Sequence, residues 1–301
     1  MKGLGTIVIA VFVAVTNCSP EHGLNVPNIP GADAPAGAGV GCASSYLAGR
    51  SPELLNGKLR SDTTLVCYSA FSLLFSGVTR TPLWSAELLT AGNVRAARQL
   101  DREGEFHADP HLTNRDRSEL WDYRRSGYDR GHMTPSGDMP TRTAQQESFS
   151  LANIVPQTAI LNRGLWSDLE SDVRRLAVRY GRAYVVTGPL FEGAQLDRIG
   201  HRVTVPTSVF KAVYVPGLGG GAWVASNGGN PTLRVVNLVQ LGELAGVDVF
   251  PSLPPAVKAS SIAIGAGSSR QHRRHRRIEK DRKSTRLNSS HIQKSRMPSS
   301  A

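Results

Sequence analysis

The sequence predicts a mixed α+β fold in one globular domain between Cys42 and Ile262. Short β-branched and aromatic runs, bounded by Gly and Pro, indicate strands on both sides of one strongly amphipathic helix. Strands that precede and follow a single strong helix are typical of an α+β domain. The segment has no internal repeat and no long linker, so we expect one domain.

Four runs carry the strand signal. We predict strands at 65–76, 183–191, 208–216 and 234–241. In the third run, SVFKAVYVP, successive side chains should point to opposite faces of a sheet. One predicted face holds Val209, Lys211, Val213 and Val215, and the other holds Phe210, Ala212 and Tyr214.

The clearest helix signal runs from about Arg163 to Tyr180, RGLWSDLESDVRRLAVRY. Its apolar residues recur at helical spacing and predict a buried stripe of Leu165, Leu169, Val173, Leu176 and Ala177. Gly181 follows as a natural C-terminal stop.

The first residues have the pattern of a secretory signal peptide, which we place at 1–18. The apolar run from Leu4 to Val15 is too short to span a bilayer comfortably. Cys18 is a candidate lipid-anchored residue, but Asn17 stands where such signals have Gly, Ala or Ser, which favours a plain signal peptide. Residues 19–41 are predicted to form a flexible linker. We therefore expect a periplasmic or secreted protein without a stable membrane span in its mature form.

The net charge of +11 is concentrated at the C-terminus. Residues 270–301 contain eleven of the 35 Lys and Arg but only two of the 24 Asp and Glu, so the rest of the chain is nearly neutral. Net charge alone therefore does not indicate a polyanionic partner. The end of the tail, RKSTRLNSSHIQKSRMPSSA, resembles translated adapter or vector sequence. We interpret the basic, low-complexity tail 263–301 as an artefact, with a genuine nucleic-acid-binding arm as the alternative.

Beyond the signal segment the chain has two cysteines, Cys42 and Cys67. In an exported protein this predicts one disulfide that closes a loop of about 25 residues. Two unpaired buried thiols are the alternative.

Two patterns carry chemistry. Residues 128–139, YDRGHMTPSGDM, crowd an acid, an arginine and His132 around one glycine. Further on, Asn162, Trp166, Glu170 and Arg174 follow at four-residue steps and should line one broad helix face. An amide oxygen and a carboxylate suit Mg²⁺, and an arginine suits a phosphate oxygen. Taken alone, such a face is more often a solvated charged surface, and a lone histidine is more often a packing or turn residue.

Together the motifs resemble the DNA/RNA non-specific endonuclease family, which includes mitochondrial endonuclease G and secreted bacterial nucleases. The resemblance joins DRGH to an Asn, a Glu and an Arg that lie 30, 38 and 42 residues after the histidine. It covers about 42–262 and includes FHADPHL, LANIVPQ and YVVTGPLFEG. It implies a central antiparallel sheet flanked by helices, with the catalytic motif of the ββα-metal superfamily.

The resemblance also implies an enzyme that hydrolyses DNA and RNA phosphodiesters without sequence specificity and leaves 5′-phosphate products. Mg²⁺ is the expected cofactor, with Mn²⁺ as an alternative. DNA and RNA are the expected partners, and a homodimer is left open. A catalytically silent nucleic-acid-binding protein is one alternative, although the intact motif residues argue against it. A phosphodiesterase for small or lipid substrates is another, which no sequence feature excludes.

Four residues take catalytic roles by this resemblance. His132 matches the general base that activates water, and Asn162 matches the one protein ligand of the metal. Glu170 matches a carboxylate that holds a water of the metal, and Arg174 matches an arginine that neutralises charge on the transition state.

Supporting roles follow in the same way. Asn153 corresponds to an asparagine that supports the orientation of the histidine, and Arg130 to the motif arginine, with a phosphate-contact or a scaffolding role. Arg102 lies near the place of a further phosphate-binding arginine, with Arg98 as its rival. Asp129 is assigned a structural part, anchoring Arg130 or the end of its strand.

Overall fold

The computed structural model describes residues 42–260. The predicted signal peptide, linker and basic tail lie outside the described residues and remain predictions.

The strands are β1 (Glu53–Leu54), β2 (Thr63–Cys67), β3 (Phe71–Ser76), β4 (Thr81–Thr90), β5 (Asp129–His132), β6 (Ile154–Gln157), β7 (Arg182–Leu190), β8 (Arg198–Ile199), β9 (Val203–Thr204), β10 (Ser208–Val215), β11 (Gly219–Ser226), β12 (Leu233–Val236) and β13 (Val247–Asp248). The α-helices are α1 (Ala91–Ala97), α2 (Leu120–Tyr123), α3 (Arg142–Ser148), α4 (Ser167–Tyr180), α5 (Leu238–Ala245) and α6 (Pro255–Ala259). A π-helical turn, Leu161–Trp166, leads directly into α4.

A seven-stranded sheet forms the centre of the domain, in the order β12-β11-β10-β7-β4-β3-β2. Every neighbouring pair in it is antiparallel, which confirms the predicted central antiparallel sheet. All eight residues of β10 are buried, because helices cover both faces of the sheet. Strands β5 and β6 pair separately and lie under α4, so the chain forms a ββα unit against the main sheet.

The two faces of β10 pack against different helices, as the alternating pattern predicts. On one face, Val209, Val213 and Val215 share a core with Trp166, Leu169 and Val173 from the helix α4 region. On the other, Phe210, Ala212 and Tyr214 share a core with Leu241 of α5 and Phe250. The exception among the apolar residues is Lys211, whose side chain is buried on the α4 face.

Two strand predictions need correction. The run 65–76 is two strands, β2 and β3, because the chain turns at Tyr68, whose backbone N–H donates to Phe71 O at 2.8 Å. The run 234–241 is a strand only to Val236, because Asn237 begins helix α5. The Asn237 side chain accepts from Gln240 N (2.8 Å), and the Gln240 side chain accepts from Asn237 N (3.0 Å), so the two residues form a capping box.

The start of the predicted helix at 163–180 also needs correction. Regular α-helix begins at Ser167, after the π-helical turn, and ends before Gly181, which has a φ of 88°. Trp166, which we expected on one helix face with Glu170, is instead 1% exposed and belongs to the core. It lies three and seven residues before Leu169 and Val173, so helical spacing places it on the buried stripe.

A disulfide joins Cys42 to Cys67, as predicted, with a Cα–Cα distance of 5.2 Å and a sequence separation of 25. It ties the first described residue to the last residue of β2. Within residues 42–260, no helix is both long and apolar enough to cross a membrane.

Replacing Cys42 and Cys67 together with serine should lower the free energy of unfolding by about 3 kcal/mol, because the cross-link restricts the unfolded chain. Urea unfolding with and without a reductant measures the effect. The reductant should lower the midpoint of the wild type and leave that of the double variant unchanged. Equal stability of the oxidised wild type and the double variant would contradict the expectation.

Candidate functional site

His132 is the last residue of β5 and pairs across the ladder with Ile154 of β6. The preceding residue is Gly131, where a Cβ would lie 2.1 Å from the side-chain oxygen of the buried Gln157 and would displace that side chain. The antiparallel pairing of β5 with β6 fixes the direction in which the His132 side chain leaves the ladder.

The His132 imidazole lies in a largely apolar setting. Its ring is 5.4 Å from the ring of Phe106 and 5.0 Å from that of Phe149, and the residue is 9% exposed. Burial, reinforced by the positive charge of Arg102, lowers the pKa of His132 to about 3. Its Nε2 is buried and has no hydrogen-bond partner within the described part of the chain. The imidazole is therefore uncharged at neutral pH, with a ring nitrogen unpaired.

Asn153 positions the backbone that follows His132. Its Nδ2 donates to Thr134 O (2.8 Å) and Ser148 O (3.0 Å), and its Oδ1 accepts from Thr134 N (3.0 Å). These bonds engage both the nitrogen and the oxygen of the Asn153 side-chain amide, and the residue is fully buried. The support expected from Asn153 therefore reaches the histidine through the main chain.

Asn162 lies in the π-helical turn and is attached to β5 through Asp129. Its Nδ2 donates to Asp129 Oδ2 at 3.0 Å. Arg163 donates to the same carboxylate from Nε (2.8 Å) and Nη2 (2.6 Å). These hydrogen bonds, that of Arg163 first, lower the pKa of Asp129, so it remains a carboxylate. The structural role predicted for Asp129 is thus to hold Asn162 and Arg163 in place, rather than Arg130. Because the amide nitrogen is engaged, the Asn162 oxygen remains for a ligand.

Glu170 and Arg174 follow on helix α4. Arg174 donates from Nη1 to Asp138 Oδ1 (2.6 Å) and from Nη2 to Ser171 Oγ (3.1 Å), which holds its guanidinium in place. Burial raises the pKa of Glu170 to about 7, while the nearby Lys211 ammonium opposes that rise.

Two charged residues beneath the site were not assigned a role from the sequence. Lys211 is 1% exposed, donates from Nζ to Thr187 Oγ1 (2.7 Å), and lies 5.2 Å from the Trp166 ring centroid. Glu87 of β4 is 2% exposed, and burial raises its pKa well above the ordinary value. The sequence feature that could have identified these two residues is a charged side chain at a core-facing position of an apolar strand.

These side chains border a cavity of about 370 Å³. Its lining includes all but one of the predicted catalytic and binding residues: Arg102, Arg130, His132, Asn162, Glu170 and Arg174. Asn153 does not line it, and Arg102 rather than its rival Arg98 contributes to the lining. Arg163 lines it as well, so four arginines face one acid, and the cavity suits an anion.

The side chains present fit a hard cation held by few protein ligands. The described residues contain no group of three or more His, Cys, Asp and Glu that could hold a metal ion. Asn162 and Glu170, which both line the cavity, offer oxygen donors of the kind that Mg²⁺ prefers, and Mg²⁺ usually keeps several waters.

A strand-borne imidazole and a helix-borne amide around an arginine-lined cavity define a ββα site suited to phosphate esters. The chain belongs to the DNA/RNA non-specific endonuclease family, because a sequence model of that family matches residues 54–256.

Several curated relatives support this. Nuclease C1 of Cunninghamella echinulata var. echinulata is 38% identical over 149 residues, which are 46% of this chain and 59% of the relative. Mitochondrial endonuclease G of Bos taurus is 32% identical over 206 residues, 65% of this chain and 64% of the relative. The chain therefore spans about six tenths of the length of these two relatives. A solved structure of EndoG in complex with EndoGI matches with a TM-score of 0.61 and 29% identity, covering 66% of this chain and 92% of that chain.

His132 should stay uncharged from neutral pH to well below pH 6.5, the ordinary value, because its pKa is about 3. NMR chemical shifts of the imidazole measure this, with His132→Gln to assign the signal. Because the folded-state pKa is lowered, the stability contributed by His132 is present above about pH 6.5 and is lost as pH falls toward 3. His132→Gln should reduce that loss. Titration of the His132 ring near 6.5 would contradict the burial argument.

Proposed function

We propose that this protein is a Mg²⁺-dependent endonuclease that hydrolyses DNA and RNA phosphodiesters without sequence specificity and leaves 5′-phosphate products. The observation that carries the proposal is the neutral His132 imidazole, which lines the arginine-rich cavity together with Asn162 and Glu170. The family membership supports it, since relatives of this chain are named nucleases.

In the proposed reaction His132 is the general base that takes the proton of the attacking water. A pKa of about 3 makes the free imidazole a weak base. A bound phosphodiester would add negative charge beside His132 and would offset the positive charge of Arg102, one cause of the low pKa. Both changes favour a protonated imidazole, so substrate binding strengthens the base.

Asn162, through its amide oxygen, and Glu170, through waters, are the residues that would hold the cation. When bound, Mg²⁺ or Mn²⁺ supplies positive charge that polarises the phosphodiester and stabilises the leaving 3′ oxygen. Arg174 faces the same cavity, and its ion pair with Asp138 fixes the guanidinium. We assign it to neutralise the negative charge that builds up on the phosphorus-bound oxygens.

Arg130 and Arg102 are the proposed substrate-binding residues. Arg130 Cζ lies 4.4 Å from the Phe106 ring centroid, and Arg102 Cζ lies 5.4 Å from that of Phe149, so the aromatic rings help to hold both guanidiniums. Contacts to phosphate position a polynucleotide but do not read its bases, which supports sequence-independent cleavage.

We further propose that the protein acts in the periplasm or outside the cell, because the signal-like N-terminus and the Cys42–Cys67 disulfide both suit an oxidising compartment. The proposed reaction does not require a homodimer, since all the assigned residues come from one chain.

Incubation of supercoiled plasmid and of folded RNA with the protein tests the function. Wild type with Mg²⁺ should cut both, and a chelator should stop the cutting. His132→Ala should reduce the rate by about 10²–10⁴-fold, because proton transfer is lost.

The products provide a second readout, since the new ends should accept no label from a kinase until a phosphatase removes the 5′-phosphate. Binding of both nucleic acids without cleavage would identify a binding protein instead. His132→Ala activity above half of the wild-type value would remove His132 from the mechanism.

A further inference from the structure

A second, larger cavity of about 710 Å³ adjoins the proposed catalytic cavity. The two share the lining residues Arg102, Arg130, Asn162 and Arg163. The second cavity extends away from His132 toward helix α2, where Trp121, Arg124 and Arg125 line it. It is therefore placed to receive the part of a bound polymer that flanks the reacting phosphate.

Trp121 is the unusual residue in this cavity. It is 56% exposed, whereas Trp84, Trp166 and Trp223 are each 1% exposed. Leaving a large aromatic side chain in water forgoes the stabilisation that its burial would give. An exposed tryptophan beside a cationic cavity is a typical surface for stacking a base.

The Trp121 ring is held rigidly from one side. The guanidinium of Arg202 lies over it, with Cζ 4.1 Å from the ring centroid. Arg202 in turn donates to both oxygens of the fully buried Asp122 carboxylate, at 3.1 and 2.8 Å. One face of the indole is thus covered by a fixed cation, and the exposed remainder of the ring is available to a ligand.

Arg124 and Arg125 provide charge beside this platform. Both are exposed, and both line the cavity. Their charge adds to that of Arg102, Arg130 and Arg163, which line the same cavity.

We propose that this second cavity is a nucleotide subsite in which an unpaired base stacks on Trp121 while its phosphate binds Arg124 and Arg125. The inference rests on the proposed nuclease function and specifies its substrate. A base inside a duplex already stacks on both neighbours and cannot cover the indole without leaving the helix. The subsite therefore favours single-stranded DNA and RNA, or unpaired stretches, over regular duplex.

The kinetic test compares kcat/KM for one sequence as a single strand and as a duplex. Trp121→Ala should lower the value for the single strand about tenfold, through KM, and the value for the duplex much less. Trp121→Phe, which keeps an aromatic face, should recover most of the loss. Val78→Ala, a matched change at a 54% exposed residue outside both cavities, should alter neither value. An equal effect of Trp121→Ala on both substrates, or no effect, would overturn the subsite.

A binding test separates the subsite from the nuclease function. Because the other three tryptophans are buried, the quenchable fluorescence of His132→Ala protein comes mainly from Trp121. A single-stranded oligonucleotide should quench it, and an abasic strand of equal length should bind without quenching. If the wild type cuts nothing but the quenching occurs, the subsite stands and the nuclease function fails. If the wild type cuts but base and abasic strands give the same signal, the function stands and the subsite fails.

Discussion

The Asp129 carboxylate connects the two halves of the candidate site. Asp129 begins the strand that ends at His132, and its side chain accepts hydrogen bonds from Asn162 and Arg163 in the π-helical turn. The His132 imidazole lies on strand β5 and the Asn162 amide on the π-helical turn, so the distance between them depends on how the strand packs against that turn. Hydrogen bonds of 3.0 Å or less to the ionised Asp129 carboxylate hold the strand and the turn together. The rest of the site is arranged around it.

A buried polar layer lies beneath this connection. Lys211 on the interior strand β10 is buried on the α4 face, where the negative charges of Glu170, Glu87 and Asp138 act on it. Buried charges persist when they are paired and hydrogen-bonded, and removing one partner leaves the others uncompensated. The attraction between Lys211 and the two glutamates opposes the effect of burial on each pKa, and Lys211 also donates to Thr187 of the main sheet.

Much of the fold could be predicted from local pattern. Alternation along 208–216 gave the correct side of the sheet for Val213 and Phe210, since a strand has only two faces. The burial of Trp166 was missed although helical spacing predicts it, because Trp166 lies three and seven residues before Leu169 and Val173 on the buried stripe. The part played by Asp129 was missed for a different reason: its partners lie 33 and 34 residues away in sequence. Family resemblance supplied the candidate residues, but only the packed structure relates them to Lys211 and Trp121.

The Mg²⁺ concentration that gives half-maximal cleavage tests the central role of Asp129 most directly. Asp129→Ala frees Asn162, so this concentration should rise about ten- to a hundredfold, as expected when a residue that orients a metal ligand is lost. Arg163→Gln is the comparison, because it removes the ion pair but leaves the Asn162 bond to Asp129 in place. Its Mg²⁺ requirement should rise less than that of Asp129→Ala. An unchanged requirement in Asp129→Ala protein that remains folded and active would contradict the account.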